Sequence, residues 1–110
     1  MHEFGLLKLI MPRLEPYLQS GKRLKLVRLR IGELKGVNND HLHHAFEHLK
    51  DDYPQLSSCE LEWELSKVSF VCKECGTKFD ANQATCPACG AVFPEMATGN
   101  EFEIIEVRFE

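Results

Sequence analysis

At 110 residues the chain has room for one modest hydrophobic core, a size at which burial alone gives a narrow stability margin and a staple is needed. A formal net charge of −4 removes any overall attraction to phosphate backbones, so nucleic acid is not an expected partner. No apolar run reaches the roughly 20 residues that span a bilayer, and the first residues lack the charged, apolar, small order of a signal peptide; the expectation is a cytoplasmic protein without membrane contact.

From Leu7 to Leu18 the apolar residues Leu7, Ile10, Met11, Leu14, Tyr17 and Leu18 recur at helical spacing and predict an amphipathic helix. Pro12 and Pro16 each remove a backbone donor, which predicts a kink or a break into two short helices. Ser20-Gly21 closes the segment, and Val27, Leu29 and Ile31 then alternate with Arg28 and Arg30, the period of a half-buried strand. After a turn at Gly36-Val37-Asn38-Asn39, a second helix is expected with Asn39 or Asp40 as its cap. Its stripe is Leu42, Ala45, Phe46, Leu49 and Tyr53, and Pro54 lies beyond its end.

Cys59, Leu61, Trp63 and Leu65 alternate with Glu60, Glu62 and Glu64, a second strand whose acidic face can pair with Arg28 and Arg30. Phe102 to Glu110 reads as a third, with Ile105, Val107 and Phe109 on one face. The predicted fold is α+β: a three-stranded sheet with two helices on one face and a four-cysteine zinc-ribbon insertion. Residues 1–67 and 100–110 would form one domain and residues 68–99 the zinc-binding one.

That insertion rests on two knuckles, Cys72-Lys-Glu-Cys75-Gly76 and Cys86-Pro-Ala-Cys89-Gly90, separated by ten residues. Four thiolates complete a tetrahedral set and leave no position for water or substrate, so structural zinc at Cys72, Cys75, Cys86 and Cys89 is the expected reading and no enzyme activity is implied. In peptide models such a zinc is worth on the order of 10–16 kcal/mol, and its loss should unfold the cysteine region. A rubredoxin-like iron site has the same ligands and would make the chain an electron carrier. A redox dithiol at Cys86 and Cys89 leaves Cys72 and Cys75 unexplained.

Met1-His2-Glu3 is a chelator when it stands at a free N-terminus. The α-amine, the backbone nitrogen of His2 and its imidazole can close adjacent rings around one ion, a planar nitrogen-rich set suited to nickel(II) or copper(II). A residue as large as His2 should keep Met1 from being removed, and an N-terminal extension would destroy the site. By spacing alone, a solvated, idle histidine is the simpler account.

Met1-His2-Glu3 before an apolar helix, the run from Val27 to Val37 (VRLRIGELKGV), Phe46-Glu47, the two knuckles and the run from Gly99 to Val107 (GNEFEIIEV) together resemble the hydrogenase nickel-incorporation family, HypA/HybF. The likeness spans nearly the whole chain. It implies a nickel metallochaperone that delivers Ni(II) to the large subunit of nickel–iron hydrogenase with a hydrogenase-maturation GTPase, and in some lineages serves urease with its accessory proteins. It further implies nickel ligands at the Met1 amine, the backbone and imidazole of His2 and the backbone of Glu3. Pro12 and Pro16 depart from the family's first helix, which is usually free of proline.

His41, His44 and His48 share one sector of the second helix, and the last two have the one-turn spacing that can clamp a metal. A solvated flank accounts for them equally well. Besides the nickel carrier, a zinc-ribbon interaction module stays open, as does a homodimer. Its knuckle surface offers Lys73 and Lys78 against Glu74, Asp80 and Glu95, a poor footprint for nucleic acid.

Overall fold

The computed structural model describes residues 2–110. Helix α1 (His2–Leu18) buries Leu7, Ile10, Met11, Leu14 and Leu18 along one stripe and runs without interruption through Pro12 and Pro16. The expected break does not occur, because the carbonyls left without a donor are those of Lys8 and Pro12. Lys8, Pro12 and Pro16 are all exposed, on the side of the helix open to solvent, while the buried stripe holds the helix. Tyr17, expected in that stripe, is instead exposed and lies 6.0 Å from the Phe109 ring.

Strand β1 (Leu24–Gly32) is the centre of the first sheet, between β2 (Glu60–Ser66) and β6 (Phe102–Phe109), in the order β2-β1-β6. It runs parallel to β2 and antiparallel to β6. Helix α2 (Asn39–Lys50) supplies the crossover that a parallel pair requires. Its N-cap is Asn38, one residue ahead of the expected position, whose side-chain oxygen accepts from the His41 amide at 3.0 Å. The Asn39 side chain accepts instead from the Trp63 indole, 2.8 Å away.

Both helices cover the face that carries Val27, Leu29, Ile31 and Leu61, with Leu42, Ala45, Phe46 and Leu49 from α2 in the same core. The opposite face is the predicted ionic one. Arg28 meets Glu62 at 2.9 Å and Glu106 at 3.3 Å, while Arg30 meets Glu103 at 3.3 Å and Glu64 at 3.7 Å. The basic stretch is thus matched by acids of both neighbouring strands.

The inward face of β6 differs from expectation. A register shift between Arg28 and Leu29 makes Arg28 oppose Glu106 and Leu29 oppose Ile104, so Ile105 is an extra residue and side-chain parity reverses there. Phe102, Ile104 and Val107 therefore pack on the core; of the expected Ile105, Val107 and Phe109, only Val107 keeps its place.

The cysteine segment has its own three-stranded sheet, which the sequence reading did not foresee: β3 (Ser69–Val71) between β4 (Lys78–Asp80) and β5 (Glu95–Thr98). Its core is small, built from Cys72, Phe79 and Cys86 with Phe70 and Ala91 against them. The two sheets lie end to end in a molecule of 53 × 26 × 18 Å with a radius of gyration of 17.5 Å, against about 13 Å for a compact chain of this length.

Candidate metal centres

Four sulfurs converge at the free end of the second sheet. The Sγ atoms of Cys72, Cys75, Cys86 and Cys89 all lie within 4.8 Å of one another, with Cys72 to Cys89 at 3.5 Å and Cys75 to Cys86 at 3.6 Å. A tetrahedral ion at the zinc–thiolate distance of about 2.3 Å sets its sulfurs about 3.8 Å apart, so the donor set fits such an ion.

The two knuckles reach this geometry by one repeated turn. In the first, the Cys72 amide donates to the Thr77 carbonyl at 2.9 Å and the Gly76 amide to the Cys72 carbonyl at 3.0 Å. In the second, the Cys86 amide donates to Ala91 at 3.0 Å and the Gly90 amide to Cys86 at 2.8 Å. Gly76 and Gly90 both adopt φ 76°, a conformation that a Cβ disfavours. Each turn aims amides at sulfur: Glu74 and Cys75 at the Cys72 thiolate position, 3.4 and 3.5 Å away, and Ala88 at Cys86, 3.4 Å away.

Without a cation, sulfurs this close share protons unevenly. The Thr77 hydroxyl and amide hold Cys75 down to about 6. Cys89 is pushed up to about 12: the Ala91 amide favours its thiolate, but the Cys72 sulfur, desolvation and the Cys75 and Cys86 sulfurs together outweigh that amide. A divalent ion resolves the conflict by stabilising the thiolate at all four positions. Cys59 lies outside this set, buried in the main core.

The predicted chelating motif meets the rest of the chain through its third residue. Met1 lies outside the described residues. His2 and Glu3 form the first turn of α1, where backbone amides have no carbonyl four residues earlier to bond. The His2 side chain is about half exposed, whereas that of Glu3 is only 6% exposed. One Glu3 oxygen accepts from the Asn38 amide at 3.0 Å and stands 3.6 Å from His2 Nε2; the other is 3.9 Å from His41 Nδ1. The Asn38 amide bond, ahead of smaller contributions from its own amide and the two imidazoles, holds the Glu3 carboxyl below its usual range despite burial.

Sequence reasoning located His2 and Glu3 but missed this use of the Glu3 side chain and its neighbours Asn38 and His41. Asp40, an expected cap, sits instead in the first turn of α2. No helix among the described residues is long and apolar enough to cross a membrane.

Comparison with known proteins places this arrangement. Residues 1–109 match the family model described as hydrogenase/urease nickel incorporation, metallochaperone, hypA. A hydrogenase maturation factor HypA of Dehalococcoides mccartyi is 33% identical, covering 100% of this chain and 97% of its own. One of Nitrosospira multiformis is 31% identical over 98% and 96%. Among solved structures, a HypA protein in solution superimposes with a TM-score of 0.80 at 21% identity, covering 100% of this chain and 97% of that one. The nickel metallochaperone HypA of Helicobacter pylori gives 0.71 at 20% identity, covering 99% and 97%. At those identities the structural likeness speaks for the fold.

Proposed function

We propose, from the premise that the chain belongs to the hydrogenase/urease nickel-incorporation family of HypA metallochaperones, that it takes up nickel(II) through Met1, His2 and Glu3. Nickel delivery in hydrogenase maturation is the family's work, and the ion is cargo, not a resident cofactor. In this reading the Met1 amine and the His2 amide nitrogen close one ring around the ion, and His2 Nδ1 closes the next. The Glu3 backbone completes the nitrogen-rich set as the family resemblance implies. The bound ion stays accessible for hand-over, since only one side chain of the set binds it and that side chain is half exposed.

The observation that carries this reading is the buried Glu3 carboxylate. It is fixed by an amide of the α2 N-cap and faces His2 Nε2 at 3.6 Å, which leaves Nδ1, the nitrogen nearer the backbone, for the ion. A carboxylate on the far nitrogen of a ligating imidazole fixes its tautomer and orientation. The first turn of α1 is thereby held in a defined position.

We further assign zinc to Cys72, Cys75, Cys86 and Cys89, with residues 68–99 as a zinc-binding domain and residues 1–67 and 100–110 as the nickel-binding one. The zinc is structural when bound; the residues around it build the turns and direct amides at sulfur. The partners are a hydrogenase-maturation GTPase, the hydrogenase large subunit and, where urease is served, its accessory proteins, all in the cytoplasm. Protein loaded with zinc alone should be colourless, whereas an iron–thiolate site would make it red when oxidised.

The test is a nickel(II) titration by calorimetry and visible spectroscopy on zinc-loaded protein with its native N-terminus, beside His2→Ala and an N-terminally extended form. The planar-site absorption should saturate at one nickel per chain and be lost in both controls. A planar-site signal that survives both would overturn the assignment.

A further inference from the structure

Helix α2 carries four histidines in the short stretch His41 to His48, and the structure separates their roles. His41 faces Glu3. His43 directs Nδ1 at the Asn39 carbonyl and Nε2 at the Leu61 carbonyl, both at 3.0 Å, and is committed to linking helix and sheet. His44 and His48 do neither. They turn their Nε2 atoms toward each other at 3.1 Å, with ring centroids 4.6 Å apart and planes at 80°.

That separation is what a shared ion requires. Two imidazole nitrogens each about 2.0–2.1 Å from one ion stand about 2.9 Å apart at a right angle and about 3.4 Å apart at the tetrahedral angle. The observed 3.1 Å falls between, so the two nitrogens already stand at the spacing a shared ion sets. Asp51, the C-cap residue just past the end of α2, lines the same groove together with Glu47. Glu47 is drawn to Lys50 at 3.0 Å; Asp51 makes no ion pair among the described residues. Phe4 of α1 closes the other wall.

We propose that His44 and His48 form a second metal position, a two-imidazole clamp for a divalent late first-row ion of the nickel, copper and zinc class, with Asp51 within the same groove as a further oxygen donor. Imidazole nitrogens suit these ions, and the open groove leaves the remaining positions to water. The clamp is independent of the N-terminal motif and of the thiolates. Because its second ligand binds intramolecularly, its affinity exceeds that of one imidazole by roughly 10²-fold or more.

The test uses nickel(II) as the probe on the full, zinc-loaded chain carrying His2→Ala, so that the N-terminal imidazole cannot contribute. One residual nickel equivalent is expected, weakened about tenfold or more by His44→Ala or His48→Ala singly and abolished by both. Paramagnetic broadening of the His44 and His48 ring signals, with His43 spared, would locate it. Both positions are exposed and alanine favours helix, so the fold should survive, as circular dichroism would verify. Absence of the residual equivalent, or its persistence in the double replacement, would overturn the clamp. Neither result depends on whether the N-terminal motif binds nickel.

Discussion

The Glu3 carboxylate bonds an amide 35 residues away, so one side chain ties the start of α1 to the start of α2. Replacing it with alanine leaves the part-buried Asn38 amide without its acceptor, at a cost of about 1–3 kcal/mol, and frees the His2 ring. Urea unfolding of zinc-loaded Glu3→Ala should show that loss, and its nickel affinity should fall as well. Unchanged values of both would mean the contact is incidental. Cys59 gives a second prediction at this scale. Burial pushes its thiol from about 9 up to about 11, so the folded state keeps a proton that the unfolded state loses. Stability from this group is full below about pH 9 and lost as pH rises through about 11, by roughly 2–3 kcal/mol. The difference in alkaline unfolding between the parent and Cys59→Ala isolates it from lysine and tyrosine titration; parallel pH curves would refute it.

Among the elements, the four-cysteine sheet has the least apolar packing of its own and would rely most on an ion at its thiolates. Its core is Cys72, Phe79 and Cys86, separate from the sixteen-residue core under the first sheet. Chelation under denaturant-free conditions should therefore collapse amide protection from Ser69 to Thr98 while Trp63 fluorescence and protection of β1 persist; concerted loss of both would mean the two cores are coupled. What was legible in the chain follows the same division. The thiolate set could be read because two ligands of each knuckle are local in sequence. The ionic face could be read because Arg28, Arg30 and the glutamates alternate cleanly. Strands of three or four residues such as β3, β4 and β5 carry too little period to announce themselves. The reversed face of β6 comes from the extra residue Ile105 opposite Arg28 and Leu29, a property of pairing that neither strand's sequence announces. The continuity of α1 through its prolines depends on which carbonyls face water, which only the packed helix decides.

At the scale of the whole molecule, the two sheets are joined at a tight crossing of chain. A Cβ on Gly32 would stand 2.2 Å from the Gly99 carbonyl carbon, and one on Gly99, at φ 120°, would meet the Val68 side chain at 2.6 Å. Around this contact the Gly32 amide donates to the Glu101 carbonyl at 2.7 Å and the Leu34 amide to the Gly99 carbonyl at 2.9 Å. Carboxylates finish the joint: Glu33 accepts from the Val68 amide at 2.5 Å, and Glu101 accepts from the Ser66 hydroxyl at 2.6 Å and the Gly99 amide at 2.5 Å. Such a joint fixes the four-cysteine sheet relative to the first sheet. The Ser66 hydroxyl, then the Gly99 amide, hold the Glu101 carboxyl below its usual range; a depressed acid stabilises the joint above that range and stops doing so as pH falls through its folded value. Glu101→Ala and Gly32→Ala should therefore release the two bodies at neutral pH without melting either. Nitrogen-15 relaxation would read this as one correlation time in the parent and two in the variants, with zinc retained. A single correlation time in both variants would mean that the joint is held elsewhere, and that orientation between the two sheets does not depend on these residues.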